Sequence, residues 1–178
     1  MLDSRRIIDK YYPEENLLKH ILLTHSGQVT DFALQLAGRS SLSLDEDFVY
    51  EAGMLHDIGI FMTYAPKIQC FGEAPYLCHG YLGAELLRKE GFPRHALVCE
   101  RHTGAGISKE EVLALNLPVP AKDMIPLSIE EKLICFADAF YSKTYLDKKR
   151  SLAEARRSIA VHGEEGAKRF DEWCELFL

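Results

Sequence analysis

Apolar residues recur along most of this chain at intervals of three and four, while two-residue alternation is short and scattered, so the pattern predicts an all-α fold. Asp3 is placed to cap a short helix reaching Tyr11, which Pro13 closes. A long helical pattern follows from about Glu14 to Gly38, with a break expected near Thr24. Its later half sets His25, Val29, Phe32, Ala33 and Leu36 on one face. Asp45 or Asp47 begins the next helix, where Phe48, Ala52, Leu55 and His56 share a face, and Gly59 falls where a left-handed stop is expected. Pro66, Gly72 and Pro75 interrupt any period across 60–76, which reads as a loop able to cover a pocket.

Beyond that loop the helical punctuation resumes. A helix opens at His79 and stops at Gly91; its Gly80, Gly83 and Ala84 make one side narrow enough for close backbone approach. Pro93 suits the first turn of the next helix, on which His95, Val98, Cys99 and His102 share a face. Ser108 with Glu111, Ser128 with Glu131 and Ser151 with Glu154 are three capping-box signatures. The first predicts a short helix ending near Asn116, the second the helix carrying Asp138. The third predicts a further helix, and the tail from Glu164 to Leu178 is an amphipathic helix with Phe170, Trp173 and Phe177 inward. No linker or repeat divides the chain, so 1–178 is expected to form one domain with its core at about 20–143.

Composition narrows the partners more than the fold. The 178 residues are 47% apolar and carry 27 Asp and Glu against 21 Lys and Arg, a net charge of -6. No basic block or stripe offers a surface for a nucleic-acid polymer or an anionic membrane. No apolar run approaches the roughly 18 residues needed to span a bilayer, and the N-terminal Leu2-Asp3-Ser4-Arg5-Arg6 lacks the apolar core of a secretory signal, so a cytoplasmic location is expected. Five cysteines with no C-x-x-C spacing argue against a disulfide framework or a thiolate zinc knot.

Candidate chemistry gathers on six residues: His25, His56, Asp57, His79, His102 and Asp138. Imidazole and carboxylate suit divalent ions such as Fe, Mn or Zn, with Mg or Ni as further candidates. Each lies on or at the end of an amphipathic helical segment, so several helices can aim them at one buried point. Asp138, alone within Leu133-Ile134-Cys135-Phe136-Ala137, needs a partner, because a buried unpaired charge is costly. The carboxylate of Asp57 can bridge two ions, with His25, His56 and Asp138 on one and His79 and His102 on the other. A water held between two cations is deprotonated near neutral pH and supplies a hydroxide nucleophile, which serves phosphoester hydrolysis. Asp57, His79 and His102 then stand closest to catalysis. Arg101 and Lys143 are candidates to steer a substrate phosphate.

The order H…HD…H…H…D, with His56-Asp57-Ile58-Gly59 as an HDIG tetrad, resembles the HD-domain superfamily of metal-dependent phosphohydrolases. The likeness covers approximately His20 to Lys143, including His79-Gly80-x-x-Gly83-Ala84 and Arg101-His102-Thr103-Gly104-Ala105-Gly106, and extends to small stand-alone HDIG proteins. It implies a helical bundle around one or two metal ions, acting on a small nucleotide-like phosphoester, with a homo-oligomer open. Ile60 in place of a lysine after HDIG, Thr103 after His102 and the lack of a Gly-Tyr-Pro element disfavour the cyclic-dinucleotide phosphodiesterases of the family. Two alternatives remain: a mixed-valence diiron oxygenase using a similar ligand set to cleave a carbon bond with O₂, and a non-catalytic metal-binding sensor. His20, His95 and His162 have no place in the motif, and Glu100 reads as a surface charge.

Overall fold

In the computed structural model, which describes residues 2–178, α-helices dominate. They are α1 Ser4–Tyr11, α2 Leu17–Ala37, α3 Glu46–Leu55, α4 His79–Lys89, α5 Pro93–Arg101, α6 Lys109–Ala114, α7 Ile129–Asp138, α8 Leu152–Ala160 and α9 Glu164–Phe177. Side-chain caps start six of them: Asp3, Asn16, Asp45, Ser108, Ser128 and Ser151 each accept a hydrogen bond from a backbone N–H of the first turn. The capping boxes at Ser108–Glu111 and Ser151–Glu154 close in both directions. The one at Ser128 closes in only one. There Glu131 accepts instead from the Leu127 backbone N–H at 3.0 Å and from Arg101 at 2.8 Å.

Three further expectations change. α2 runs through Thr24 without a break. The 60–76 segment is not plain loop: single 3-10 turns alternate with strands β1 Thr63–Ala65, β2 Cys70–Phe71 and β3 Ala74–Pro75, in a sheet of order β2-β1-β3. β1 pairs antiparallel with β2 (Tyr64 opposite Phe71) and parallel with β3 (Tyr64 opposite Pro75). Strands of two or three residues are too short to show an alternation. Finally, Gly59 is right-handed at φ -83. Its missing side chain serves a close approach, because a Cβ there would collide with the carbonyl of His79 and the amide of Gly83. Gly83 in turn faces the Cys99 sulfur. The bare face of α4 thus lies against both the HDIG turn and α5.

Buried apolar side chains form two clusters. One joins α1, the first half of α2 and the end of α3 to α4 and α5, through Ile8, Leu22, Leu55, Ile58, Leu87 and Cys99. The other joins the rest of α2 and α3 to α7, α8 and α9, through Val29, Phe48, Leu133, Phe136, Phe170 and Trp173. His25 stands between Leu22 of the first and Val29 of the second; His102 stands between Cys99 and Ala105 in the same way. The candidate ligands therefore lie along the seam.

Replacing Gly59 by Ala forces α4 away from the HDIG turn. The expected cost is about 1–3 kcal/mol of stability, read as a lowered denaturant midpoint, together with weaker metal retention because His79 opens α4.

Candidate metal centre

Four helix ends and one helix middle supply the donor atoms. His56 follows the last residue of α3, His79 is the first residue of α4, His102 follows the last residue of α5 and Asp138 is the last residue of α7. His25 comes from within α2. Helix ends leave backbone carbonyls without an intrahelical partner, and the rings use such groups. His56 Nδ1 is 2.6 Å from the Gly53 carbonyl, His79 Nδ1 2.7 Å from that of Tyr76, and His102 Nδ1 2.7 Å from that of Cys99. A carbonyl only accepts, so each Nδ1 carries a hydrogen, and each Nε2 of a neutral ring presents its lone pair inward. Cys135 of α7 fixes the His102 turn further, its thiol donating to the carbonyls of His102 and Gly104 at 3.1 and 3.3 Å.

These lone pairs surround Asp57, which is 0% exposed. Its Oδ2 lies 3.1 Å from His25 Nε2 and 3.2 Å from His56 Nε2; its Oδ1 lies 3.3 Å from both His79 Nε2 and His102 Nε2. Asp138 Oδ1 closes the first side, 2.9 Å from His25 Nε2 and 3.6 Å from His56 Nε2. Donor atoms of His25, His56 and Asp138, and again of His56, Asp57 and His102, lie within 4.8 Å of one another. The six expected ligands are thus brought together, with four rings about the Asp57 carboxylate, two at each oxygen, and Asp138 against His25 and His56.

Hydrogen bonding among these groups does not explain their approach. His79 Nε2 and His102 Nε2 are 3.1 Å apart. With both Nδ1 hydrogens given to carbonyls, that contact sets lone pair against lone pair unless a positive charge lies between. Burial pushes His79 down to about 3, so its own ring does not take up a second proton there. A cation shared by the two nitrogens would supply that positive charge. On the other side His25 Nε2, His56 Nε2 and both Asp57 oxygens are buried without a hydrogen bond of acceptable geometry. The donor set fits divalent cations on both sides of Asp57.

Charge balance in the bare protein shows the same demand. Burial alone would raise the carboxyl of Asp57, yet the Lys143 ammonium and then the His56 ring hold it well below the usual range. Asp138 is held low against the same burial by Lys143 and His25. Burial opposes a charged His56, but Asp57 and Asp138 outweigh it and raise the ring to about 10. Lys143 Nζ stands 2.6 Å from Asp57 Oδ2, and its side chain is 12% exposed at the wall of a 620 Å³ cleft. Asp138, His79 and His102 open onto that cleft; Ile68, Tyr141 and His162 form its far walls.

Residues 22–142 match the family model for the HD domain. This chain belongs to the HD-domain family. An uncharacterized protein of Methanocaldococcus jannaschii is 38% identical over 128 residues, covering 70% of this HD protein and 68% of its own length. tRNA (cytidine(56)-2'-O)-methyltransferases of Picrophilus torridus and Thermoplasma volcanium are 32% and 31% identical over 163 and 147 residues, or 86% and 82% of this chain. The matched region is 43% and 38% of their own lengths, so this chain spans less than half of either. No solved structure matches it. No helix among the described residues is long and apolar enough to cross a membrane.

Several residues stand elsewhere than expected. Arg101 turns from the cleft to pair with Glu131 at 2.8 Å, because the buried Glu131 takes the guanidinium. Glu100 is buried, not a surface charge, and is held by Arg88 at 3.0 Å and Lys122 at 2.6 Å. His95 pairs with Glu51 at 3.0 Å between the rings of Phe48 and Phe92, and His20 is exposed. His162, which no motif marks, reaches the cleft because the turn after α8 folds back over it. Tyr76 was also unmarked; its ring stacks on His79 at 4.6 Å.

The pH dependence of the metal-stripped protein follows from the two histidine shifts. His56, raised from 6.5 to about 10, contributes stability that is complete below pH 6.5 and is lost as pH rises toward 10. His79, lowered to about 3, makes the folded state refuse a proton that the unfolded chain accepts, so stability also falls as pH drops from 6.5 toward 3. The melting temperature of chelator-treated protein is expected to peak near pH 6.5. Saturation with Mn²⁺ should raise it most on the alkaline side, with release of the His56 proton detectable by calorimetry in buffers of different ionisation heat.

Proposed function

We propose that this HD domain hydrolyses a small phosphoester at a two-cation centre. One observation carries the reading: three members of the donor set, His79, His102 and Asp138, line an open cleft whose wall also holds the Lys143 ammonium beside Asp57. His25, His56, Asp57 and Asp138 would hold one cation; Asp57, His79 and His102 would hold the other. Bound there, the pair supplies an activated water and neutralises the phosphate oxygens as charge moves to the leaving group. In the reaction the water oxygen forms a new bond to phosphorus, the ester P–O bond breaks, and the departing oxygen takes up a proton.

The protein's own groups do the rest. The carbonyls of Gly53, Tyr76 and Cys99 keep the rings in the tautomer that faces inward. Lys143 is paired with Asp57 in the bare site; once cations neutralise that carboxylate, its ammonium is free to hold a phosphate oxygen as a point charge. The HD fold gives the hydrolase reading its weight. The methyl transfer in the names of two relatives is assigned to proteins more than twice the matched length, and a ring of imidazoles and carboxylates has no evident role in it. The family resemblance favours nucleotide-like esters, and the cleft admits these and smaller ones.

The test is phosphate release from a panel of nucleoside monophosphates and alkyl phosphates with Mn²⁺ or Fe²⁺, with oxygen uptake followed in parallel. Phosphate release without oxygen uptake is expected. Asp57→Asn should abolish it, and chelation should do the same reversibly. Lys143→Ala should raise KM and lower kcat/KM by roughly 10- to 100-fold, in line with loss of a charged hydrogen bond, at unchanged metal content. Arg101→Ala should leave kcat/KM within about twofold while costing roughly 1.5–3 kcal/mol of stability through the lost Glu131 contact. Oxygen uptake without phosphate release would overturn the hydrolase in favour of an oxygenase.

A further inference from the structure

The cleft does not end at the metal centre. Past Thr103 and Gly104 on one wall and Ile159 and His162 on the other it continues into a second, more enclosed cavity of 330 Å³. Its walls are the aliphatic side chains of Leu77, Ile107, Leu115, Leu117 and Ile159 and the methyl of Ala105. The one carboxylate at its edge, Glu111, is committed to the Ser108 backbone N–H at 2.7 Å. The slot is also built, not incidental. Arg169 of α9 donates to the carbonyls of Ala105 and Gly106 at 2.8 and 2.9 Å, fastening the glycine-rich wall to the C-terminal helix. Gly166, the third residue of α9, leaves room for the cavity on that side.

We propose that this slot receives an aliphatic group, so that the substrate is a phosphoester whose phosphate lies at the metal centre and whose alkyl part runs past Thr103 between Ile107 and Ile159. The substrate class rests on the hydrolase reading; the binding of the alkyl group does not. Its chemistry follows from the lining. A nucleobase seeks rings to stack on and several free donors or acceptors for its edge, whereas five aliphatic side chains and the Ala105 methyl dominate this lining, with one ring, His162, and one hydroxyl, Thr103, where the slot meets the cleft. An alkyl chain loses nothing by leaving water for such a surface. Thr103 immediately follows the ligand His102, so the mouth of the slot is one residue from the second cation position.

The experiment is calorimetric titration of the full-length Mn²⁺-loaded protein with methyl-, butyl- and octylphosphonate, which cannot be hydrolysed. Affinity should rise with chain length, by roughly tenfold or more from methyl to butyl. Gly166→Leu projects a side chain into the slot from a helical position where glycine is the poorer helix former. It should reduce that gradient to within about twofold while leaving methylphosphonate affinity and metal content unchanged. Gly166→Ala, whose Cβ meets Ile159 at 3.4 Å and Ala105 at 3.8 Å, fits the existing packing. It should weaken octyl binding more than methyl binding and provides the test should the larger variant fail to fold. Equal affinity for all three phosphonates, or a gradient that survives both variants, overturns the slot. Adenosine monophosphate binding tighter than octylphosphonate and lost in Gly166→Leu overturns its aliphatic assignment. A length gradient without phosphate release from any alkyl phosphate keeps the slot and removes the hydrolase; equal release from methyl, butyl and octyl phosphate with no gradient does the reverse.

Discussion

A carboxylate with no access to water, Asp57, is the constraint around which the molecule is arranged. An ionised group in that position is very costly unless positive charge meets it, and the apolar clusters on either side offer none. Compensation comes from Lys143, from the His56 ring and, when bound, from the cations that the surrounding imidazoles would hold. Lys143 and the rings are delivered by different segments, so closing the site and joining the two clusters are one event. Metal binding to such a centre adds directly to folding stability, because the unfolded chain holds no comparable set of donors.

How the donors are aimed follows from where helices stop. A backbone carbonyl in the last turn of a helix lacks the N–H four residues ahead that would satisfy it. A histidine three residues on can supply its ring N–H instead, and at His56 and His102 that bond turns the opposite nitrogen toward Asp57. His79 repeats the device on the 3-10 turn Tyr76–Cys78 before α4. His25 shows the contrast. Placed inside α2, where the carbonyls are engaged by the helix itself, it keeps an Nδ1 with no partner, so its ring is held by packing and by the two carboxylates at Nε2. Short helices ending at the centre are thus a chemical requirement as well as an architectural one.

Much of this was legible from residue order. Helices α1 to α9 declare themselves through caps and periodicity, and the six candidate ligands stand together in space as their positions on those helices led one to expect. What escaped the sequence depends on contacts between distant segments. Gly59 looks like a helix stop from its neighbours, but it is required by the approach of α4. Arg101 sits beside a ligand and so looks poised for phosphate, yet the buried Glu131, thirty positions on, claims it. Glu100 looks like surface until Arg88 and Lys122 are found around it. His162 carries no motif and reaches the cleft only because the turn between α8 and α9 returns over it. In each case the deciding partner is remote in sequence, and local pattern carries no information about it.

The acidic balance of the chain is no obstacle to an anionic substrate. Net charge governs solubility and long-range steering, and beyond a Debye length of about 8 Å surface charges are screened. Inside the cleft the local sum decides. Lys143 places one positive charge beside Asp57 at the cleft wall, and divalent cations held by Asp57 and Asp138 would make that end of the cleft cationic while the outer surface stays acidic. Away from that end the charge disappears quickly, and beyond Thr103 the walls are aliphatic. A ligand that spans both environments must itself be polar at one end and apolar at the other. The two compartments therefore select by a contrast within the ligand, and that selectivity is absent when either end is offered alone.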